Sequence, residues 1–280
     1  MPGVRIVTDT TANLSREELE EHKIEVVPLY VNFPDEVIMD GSISNAVFFE
    51  KCEKAPQLPF TSQPSPGDFA KVYEKILNDG DEIVSIHISS GLSGTVESAA
   101  SAIKMLSAEG ISVVDSLVTM TGLAIMVLSA ARAAGEGKSR EEIVQMLEEM
   151  KVKGRTFLVP ATLEYMKKGG RIGGAQALLG SIMQIKPILI LRNDTGKIDT
   201  YAKARTMRKA LERLVEELPQ NASDVRQVAV LNADAEGTAA ELKVLLQARL
   251  PDLKINIYAL SAVIATHTGP GTVGFSFFPK

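Results

Sequence analysis

The sequence predicts an α/β protein of two α/β domains, the first with a mostly parallel sheet flanked by helices and the second a mixed α/β sandwich. Three observations carry this reading. At 280 residues the chain is about two domains long on a usual scale of roughly 100–200 residues each, and a 45% apolar composition suffices for real cores. The first half alternates apolar strand-like runs with amphipathic helical stretches, the pattern of a parallel sheet covered by helices on both faces. The second half carries two apolar runs joined by Asn193-Asp194-Thr195-Gly196, a hairpin signal that implies a mixed sheet.

Taken in order, Val4–Val7 reads as a strand followed by a helix over Ser15–His22, and Ile24–Val31 as a strand followed by a helix over Ser44–Lys54. A helix over Asp68–Asn78 precedes the strand Ile83–Ile88, and then come a helix over Thr95–Leu106, a strand over Ile111–Val114 and an apolar helix over Thr119–Ala134. A helix from Arg140 to Lys151 leads into Arg155–Val159, a strand-like run ended by Pro160. The domain boundary is placed there, with 1–155 as the first domain and 156–280 as the second. Beyond it lie a short helix over Leu163–Lys167, a glycine loop and an apolar helix over Ala175–Met183. The strands Pro187–Leu191 and Ile198–Tyr201 form the hairpin, and a helix over Arg205–Leu218, a strand over Gln227–Leu231, a helix over Glu236–Arg249 and a strand over Lys254–Ala259 follow it. A last strand follows the glycine-rich run His267–Gly274.

Composition narrows the function classes. The most apolar helical run, Val118–Ala134, contains Thr119, Thr121, Gly122, Ser129 and Arg132 and falls short of the ~20 apolar residues that span a bilayer, so a buried helix is expected. Residues Met1–Arg5 run directly into a strand pattern with no apolar signal segment, and the single cysteine, Cys52, allows no intrachain disulfide, so a cytoplasmic location is expected. Three histidines (His22, His87, His267) without metal-site spacing give no reason to expect zinc or any resident cofactor. The net charge of −5 is uneven: residues 151–209 hold thirteen Lys/Arg against Glu164, Asp194 and Asp199, a segment of +10 that leaves −15 elsewhere. Such a segment is either a set of solvated faces or a basic surface for a phosphate-bearing or acidic partner. Aromatic residues are only 5% of the chain and are not interleaved with these cations, which argues against a single-stranded nucleic-acid platform, and no duplex-binding motif is present.

Four loop segments stand out. Ser89-Ser90-Gly91-Leu92-Ser93-Gly94-Thr95 lies between a strand and a helix, where free backbone N–H groups and the positive helix end form an anion site or serve only as a cap. It lacks a Walker A lysine and the spacing of a dinucleotide fingerprint. Ligands of parallel sheets bind beyond the strands' carboxyl ends, so Asp9-Thr10-Thr11 would share this rim if the two strands are neighbours. Thr61–Asp68 opens a helix as a proline-stiffened loop, and Gly169–Gly174 holds Arg171 on a bend between two short helices. His267–Gly274 places a histidine in a glycine-rich turn, a setting open to both a structural and a chemical role.

Together with Ile6–Leu14, the segments Thr61–Ser65, Ile88–Thr95, Leu163–Gly173 and His267–Gly271 make this chain resemble the DegV family, which includes the fatty-acid-binding subunits of bacterial fatty acid kinase. The resemblance spans nearly the whole chain and implies a fatty acid between two α/β domains, carboxylate at the junction and tail in a tunnel. By motif position the carboxylate would meet Thr61, Ser62, Ser93, Gly94 and His267, and a protonated His267 would add a charge-assisted bond. The acyl tunnel would draw on Ile172, Leu178, Leu179, Ile182, Met183, Ile185 and Ile264, with Met120, Met126, Met183 and Met207 as further flexible lining. The implied function is non-catalytic: a carrier presents the carboxylate to a separate ATP-dependent kinase subunit, which makes the acyl phosphate for phospholipid metabolism. Arg171 and Arg205 would face that kinase, its nucleotide or the product phosphate. The implied ligand is a long-chain fatty acid, with transient membrane-surface contact and no nucleic-acid partner.

Two other classes compete. Ser93, Asp115 and His267 occur in the chain order of an α/β-hydrolase triad, which would make the protein a serine hydrolase acting on an acyl substrate through Ser93 and His267. The segment Gly91–Thr95 lacks the second glycine of Gly-x-Ser-x-Gly, however. A lipid-sensing DNA-binding regulator is the third class, and it would bind DNA in a salt-dependent manner.

Overall fold

A computed structural model describes residues 3–179 and 185–280. In chain order the first half comprises β1 (Val4–Asp9), α1 (Arg16–Glu21), β2 (Glu25–Val27), β3 (Tyr30–Asn32), β4 (Val37–Met39), α2 (Asn45–Lys54) and β5 (Phe60–Ser62). It continues through α3 (Pro66–Asn78), β6 (Glu82–His87), α4 (Thr95–Leu106), β7 (Ile111–Asp115), α5 (Met120–Gly135) and α6 (Arg140–Lys153). The second half comprises β8 (Arg155–Val159), α7 (Glu164–Lys168), a 3-10 helix (Gly173–Leu178), β9 (Lys186–Leu191), β10 (Ile198–Ala204) and α8 (Met207–Val215). After these come β11 (Val225–Ala233), α9 (Glu236–Arg249), β12 (Asn256–Ala259), α10 (Ala262–Thr268) and β13 (Thr272–Pro279).

The first sheet is parallel throughout, in the order β2-β1-β6-β7. Both its faces are buried, as such a sheet requires. Ile6, Val84 and Ile86 pack with α5 and α6, while their neighbours Val7 and Ile83 pack with Phe69, Tyr73 and Ile76 of α3. β1 and β6 are direct neighbours, which brings Asp9 and the Ser89–Thr95 loop to one rim. The second sheet is mixed, in the order β10-β9-β8-β13-β11-β12, and its only parallel pair among the described residues is β11 with β12. Its outer face carries α8 and α9. Helix α5 is buried along nearly its whole length because the first sheet covers one side and Ala229 and Phe278 of the second cover another, which is why its sequence is apolar all round.

The structure departs from the sequence reading at the places that build the site. The expected strand Ile24–Val31 is two strands, because Pro28 cannot donate to a ladder and ends β2. The second piece, β3, joins a small antiparallel sheet in the order β4-β3-β5. Thr61 and Ser62, read as loop, therefore sit on strand β5, opposite Val31 and Tyr30. His267, read in a turn, lies near the end of helix α10, and the glycines after it form the exit from that helix. Helix α8 starts at Met207 rather than Arg205, since Thr206 caps it by accepting from the Lys209 N–H. The expected helix over Ala175–Met183 is a 3-10 helix ending at Leu178, and the remainder of that expectation lies outside the described residues.

Candidate functional site

Two turns from the first half and two segments from the second converge beside the C-terminal end of β6. The first turn follows β6. Ser90 donates from its backbone N–H (3.2 Å) and its hydroxyl to Asp115 at the end of β7, while the N–H groups of Leu92 and Ser93 return to the Ser89 carbonyl at 3.0 and 3.1 Å. These bonds wind the turn so that Ser93 and Gly94 open α4, whose N-terminus carries no side-chain cap. Its first N–H groups stay available to an anion. The second turn leaves β5, and Gln63 Nε2 ties it to α4 through the Gly94 carbonyl (3.0 Å) and Ser98 Oγ (2.9 Å). This clamp needs glycine at 94, where a Cβ would run into the Gln63 side-chain amide. The β9–β10 hairpin loop buttresses the first turn from the other half of the chain: Ser89 Oγ donates to the Gly196 carbonyl at 2.9 Å.

Between these segments lies a cavity of about 390 Å³. Its polar wall is formed by Thr61, Ser62, Gln63, Ser93, Arg171 and His267, and its apolar wall by Leu29, Ile88, Met120, Leu158, Ile198 and Ile264. Nothing among the described residues gives the cavity a metal-binding cluster. The volume falls within the roughly 300–1,000 Å³ of small-molecule sites, and an apolar pocket with a few convergent polar groups is their usual form.

His267 sets the electrostatics of the polar wall. Its Nε2 lies 2.8 Å from Thr61 Oγ1, and its Nδ1 is buried against Gly169 with no partner. Burial first, and the Arg171 charge second, push its pKa down to about 4, so the imidazole is neutral at physiological pH. A charge-assisted bond is expected only from a protonated His267, and burial favours the neutral form. An orphaned acceptor is tolerated better than an orphaned N–H, so the proton is assigned to Nε2, which donates to Thr61 Oγ1. The Thr61 hydroxyl hydrogen is then free to point into the cavity. Ser62 Oγ accepts from Asn32 Nδ2 at 3.1 Å and likewise keeps its own hydrogen for a ligand.

Thr61, Ser62, Ser93 and His267 therefore share one wall, while Gly94 supports it as the start of α4 without lining the cavity. Of the residues expected to line a tunnel, Ile264 lines this cavity; Ile172 and Leu178 are buried in an apolar cluster with it, and Leu179 packs against that cluster. Ile185 is half-buried, and Ile182 and Met183 lie outside the described residues. Met120 lines the cavity, whereas Met126 belongs to the α5 core and Met207 packs on the outer face of the second sheet. Arg171 is exposed at the rim, where Nε donates to the Leu92 carbonyl (3.1 Å) and Nη1 to the Gly169 carbonyl (2.8 Å). It also lines an adjoining surface pocket with Phe60, Tyr165 and Lys168. Arg205 is exposed and lines neither space.

The hydrolase arrangement is not assembled. Ser93 Oγ bonds Thr95 Oγ1 at 2.9 Å, His267 bonds Thr61, and the Asp115 carboxylate is taken up by Ser90 and Leu117. Asp9 is also structural: its buried carboxylate accepts from the Thr11 and Ile88 N–H groups and bonds His87 Nδ1, each at 3.0 Å. Sequence reasoning missed Leu29, Ile88, Leu158 and Ile198 because each sits in a strand or strand end whose pattern reads only as core.

The chain is thus an α/β protein with a parallel and a mixed sheet whose cavity is lined by both hydroxyl-bearing and aliphatic side chains. Residues 3–280 match the family model described as "Uncharacterised protein, DegV family", and the chain belongs to the DegV family. Protein DegV of Bacillus subtilis (strain 168) is 36% identical over 276 residues, 97% of this chain and 98% of that protein. Among solved structures, that of fatty acid binding by a DegV family protein from Thermus thermophilus superposes with a TM-score of 0.92 at 37% identity, covering 99% of this chain and 100% of the other. That of DegV, a fatty acid binding protein from Bacillus subtilis, gives 0.88 at 36% identity with full coverage of both chains.

Proposed function

We propose that this protein binds a long-chain fatty acid in the 390 Å³ cavity, carboxylate against Thr61, Ser62, Ser93 and the α4 N-terminus, and presents that carboxylate to a separate ATP-dependent kinase for acyl-phosphate formation. The observation that carries the reading is the division of the cavity wall into hydroxyl donors beside a neutral imidazole and an aliphatic surface, in a fold whose solved relatives are described as fatty-acid-binding. Burying ~15 methylenes at ~0.8 kcal/mol each contributes roughly 12 kcal/mol before association costs, whereas each head-group hydrogen bond nets about 1–3 kcal/mol. The tail thus sets affinity and the head selects acids.

The carrier role is supported by the solved relatives described as fatty-acid-binding, and Ser93 Oγ bonds Thr95 Oγ1 while His267 bonds Thr61. Arg171 supports presentation, because it stands between the cavity and the adjoining surface pocket and can meet a phosphate arriving from outside. The proposed location is the cytoplasm; among the described residues no helix is long and apolar enough to cross a membrane. The test is to measure bound lipid and kinase-dependent acyl phosphate in Arg171→Ala, Arg205→Ala and Ser93→Ala. The arginine variants should keep their lipid and lose phosphoryl transfer at least tenfold, and Ser93→Ala should lose affinity for the acid. Parallel loss of lipid in the arginine variants refutes their presentation role.

A further inference from the structure

We propose that the surface pocket adjoining the cavity receives the phosphoryl group of the acyl phosphate, with Lys168 as its second cation beside Arg171, so that the protein holds the phosphorylated product as well as the acid. The inference rests on the fatty-acid carrier reading of the cavity. The pocket encloses about 470 Å³ and shares Thr61, Arg171 and His267 with the cavity, so it adjoins the carboxylate wall itself. Phosphorylation lengthens the head group by one phosphoryl group and adds negative charge. The inner wall meets that change poorly, since it offers hydroxyls, a neutral imidazole and Arg171 as its one cation among the described residues. The outer pocket has two cations, and no Asp or Glu is among the described residues that line it. Glu53 and Glu164 lie near Tyr165 without lining the pocket.

The exit from α7 is built to present both charges. The Gly169 N–H donates to the Tyr165 carbonyl at 2.8 Å, the Gly170 N–H to the Lys167 carbonyl at 3.2 Å and the Arg171 N–H to the Met166 carbonyl at 3.0 Å, while Gly170 takes φ +70° to close the helix in a left-handed turn. Lys168 and Arg171 therefore flank a fixed turn. Gly169 between them lets the backbone pass against His267, where a Cβ would run into Nδ1. Arg171 commits two of the five guanidinium N–H donors, to the Leu92 and Gly169 carbonyls, and the other three remain for phosphate oxygens. Lys168 is exposed and adds an ammonium on a flexible stem, which can follow the phosphoryl group into the pocket.

The test measures dissociation constants for palmitic acid and for the ketophosphonate analogue of palmitoyl phosphate, in which a methylene replaces the bridging oxygen, by displacement of a bound fluorescent fatty acid. Wild type should bind the phosphonate at least as tightly as palmitic acid. Lys168→Ala should weaken the phosphonate about tenfold and leave palmitic acid within about twofold, and Lys168→Arg should hold the wild-type ratio. Lys167→Ala removes a neighbouring exposed cation that lines neither space and should leave the ratio unmoved. Inorganic phosphate should not displace the phosphonate, because the phosphoryl group is held as part of a chain-anchored product. Displacement by inorganic phosphate would assign the pocket to a free phosphate and overturn the proposal. A phosphonate bound more weakly than palmitic acid by wild type, a ratio unchanged in Lys168→Ala, or an equal shift in Lys167→Ala would also overturn it, and each leaves the fatty-acid reading standing. Failure of wild type to bind palmitic acid overturns both.

Discussion

Thr61 and His267 are 206 positions apart in sequence and joined by one hydrogen bond, and the properties of that bond decide what the polar wall can do. A neutral His267 fixes Thr61 as a donor and adds no charge. Because its pKa falls from an ordinary 6.5 to about 4 on folding, the unfolded chain binds the extra proton between those values. The stability contribution of the neutral imidazole is complete above about pH 6.5 and is lost as pH falls toward 4. Thermal stability should therefore fall as pH drops through that window in wild type and less steeply in His267→Gln; equal slopes would contradict the buried neutral imidazole. The convergence of Thr61, Ser62, Ser93 and His267 on one cavity follows the motif segments that stood out in the sequence. The protonation of His267 was not legible there, because it depends on burial against Gly169 and Thr61 and on Arg171, all distant in sequence.

At the scale of elements, the site is held by two devices that join distant parts of the chain. One is the α10 cap: the Val263 N–H donates to Asp40 Oδ1 at 3.1 Å, across 223 positions of sequence. Burial raises the Asp40 carboxyl pKa above its usual value, so folding disfavours the charged form relative to the unfolded chain. Asp40→Asn keeps the acceptor and drops the charge, and should hold or raise the melting temperature at neutral pH, by more as pH rises. Asp40→Ala should cost about 0.5–2 kcal/mol through loss of the cap. Equal destabilisation by both would show that the carboxylate itself is needed. The other device is the β9–β10 loop, where Gly196 sits at φ +60° and a Cβ would run into Ser89 Oγ. Gly196→Ala should cost about 1–3 kcal/mol by denaturant titration and loosen the Ser89–Gly94 turn, with weaker fatty-acid binding as a second readout. The hairpin itself was readable from its turn residues. Strand β5 and helix α10 were not, since three residues and seven residues carry too little periodicity, and their partners lie far away in sequence.

Across the whole molecule, α5 is shared by the two sheets, and the cavity opens where its first turn meets the carboxyl end of β6 and strand β8. The alternation of strands and helices made this α/β architecture legible from sequence, and the apolar run of α5 announced a helix buried on every side. The cavity was not legible residue by residue, because an aliphatic side chain facing a void has the same sequence signature as one facing another side chain. That equivalence explains why Leu29, Leu158 and Ile198 read as core, although each lines the cavity. The central claim is occupancy of this cavity by a fatty acid. It is tested most directly by native mass spectrometry of freshly purified protein followed by solvent extraction, on wild type and on Leu92→Trp, which places an indole into the cavity from its loop. The account predicts about one long-chain fatty acid per wild-type chain, released only on denaturation, and little or none on a folded Leu92→Trp. A wild-type protein that carries no lipid and takes up no added fatty acid would contradict it.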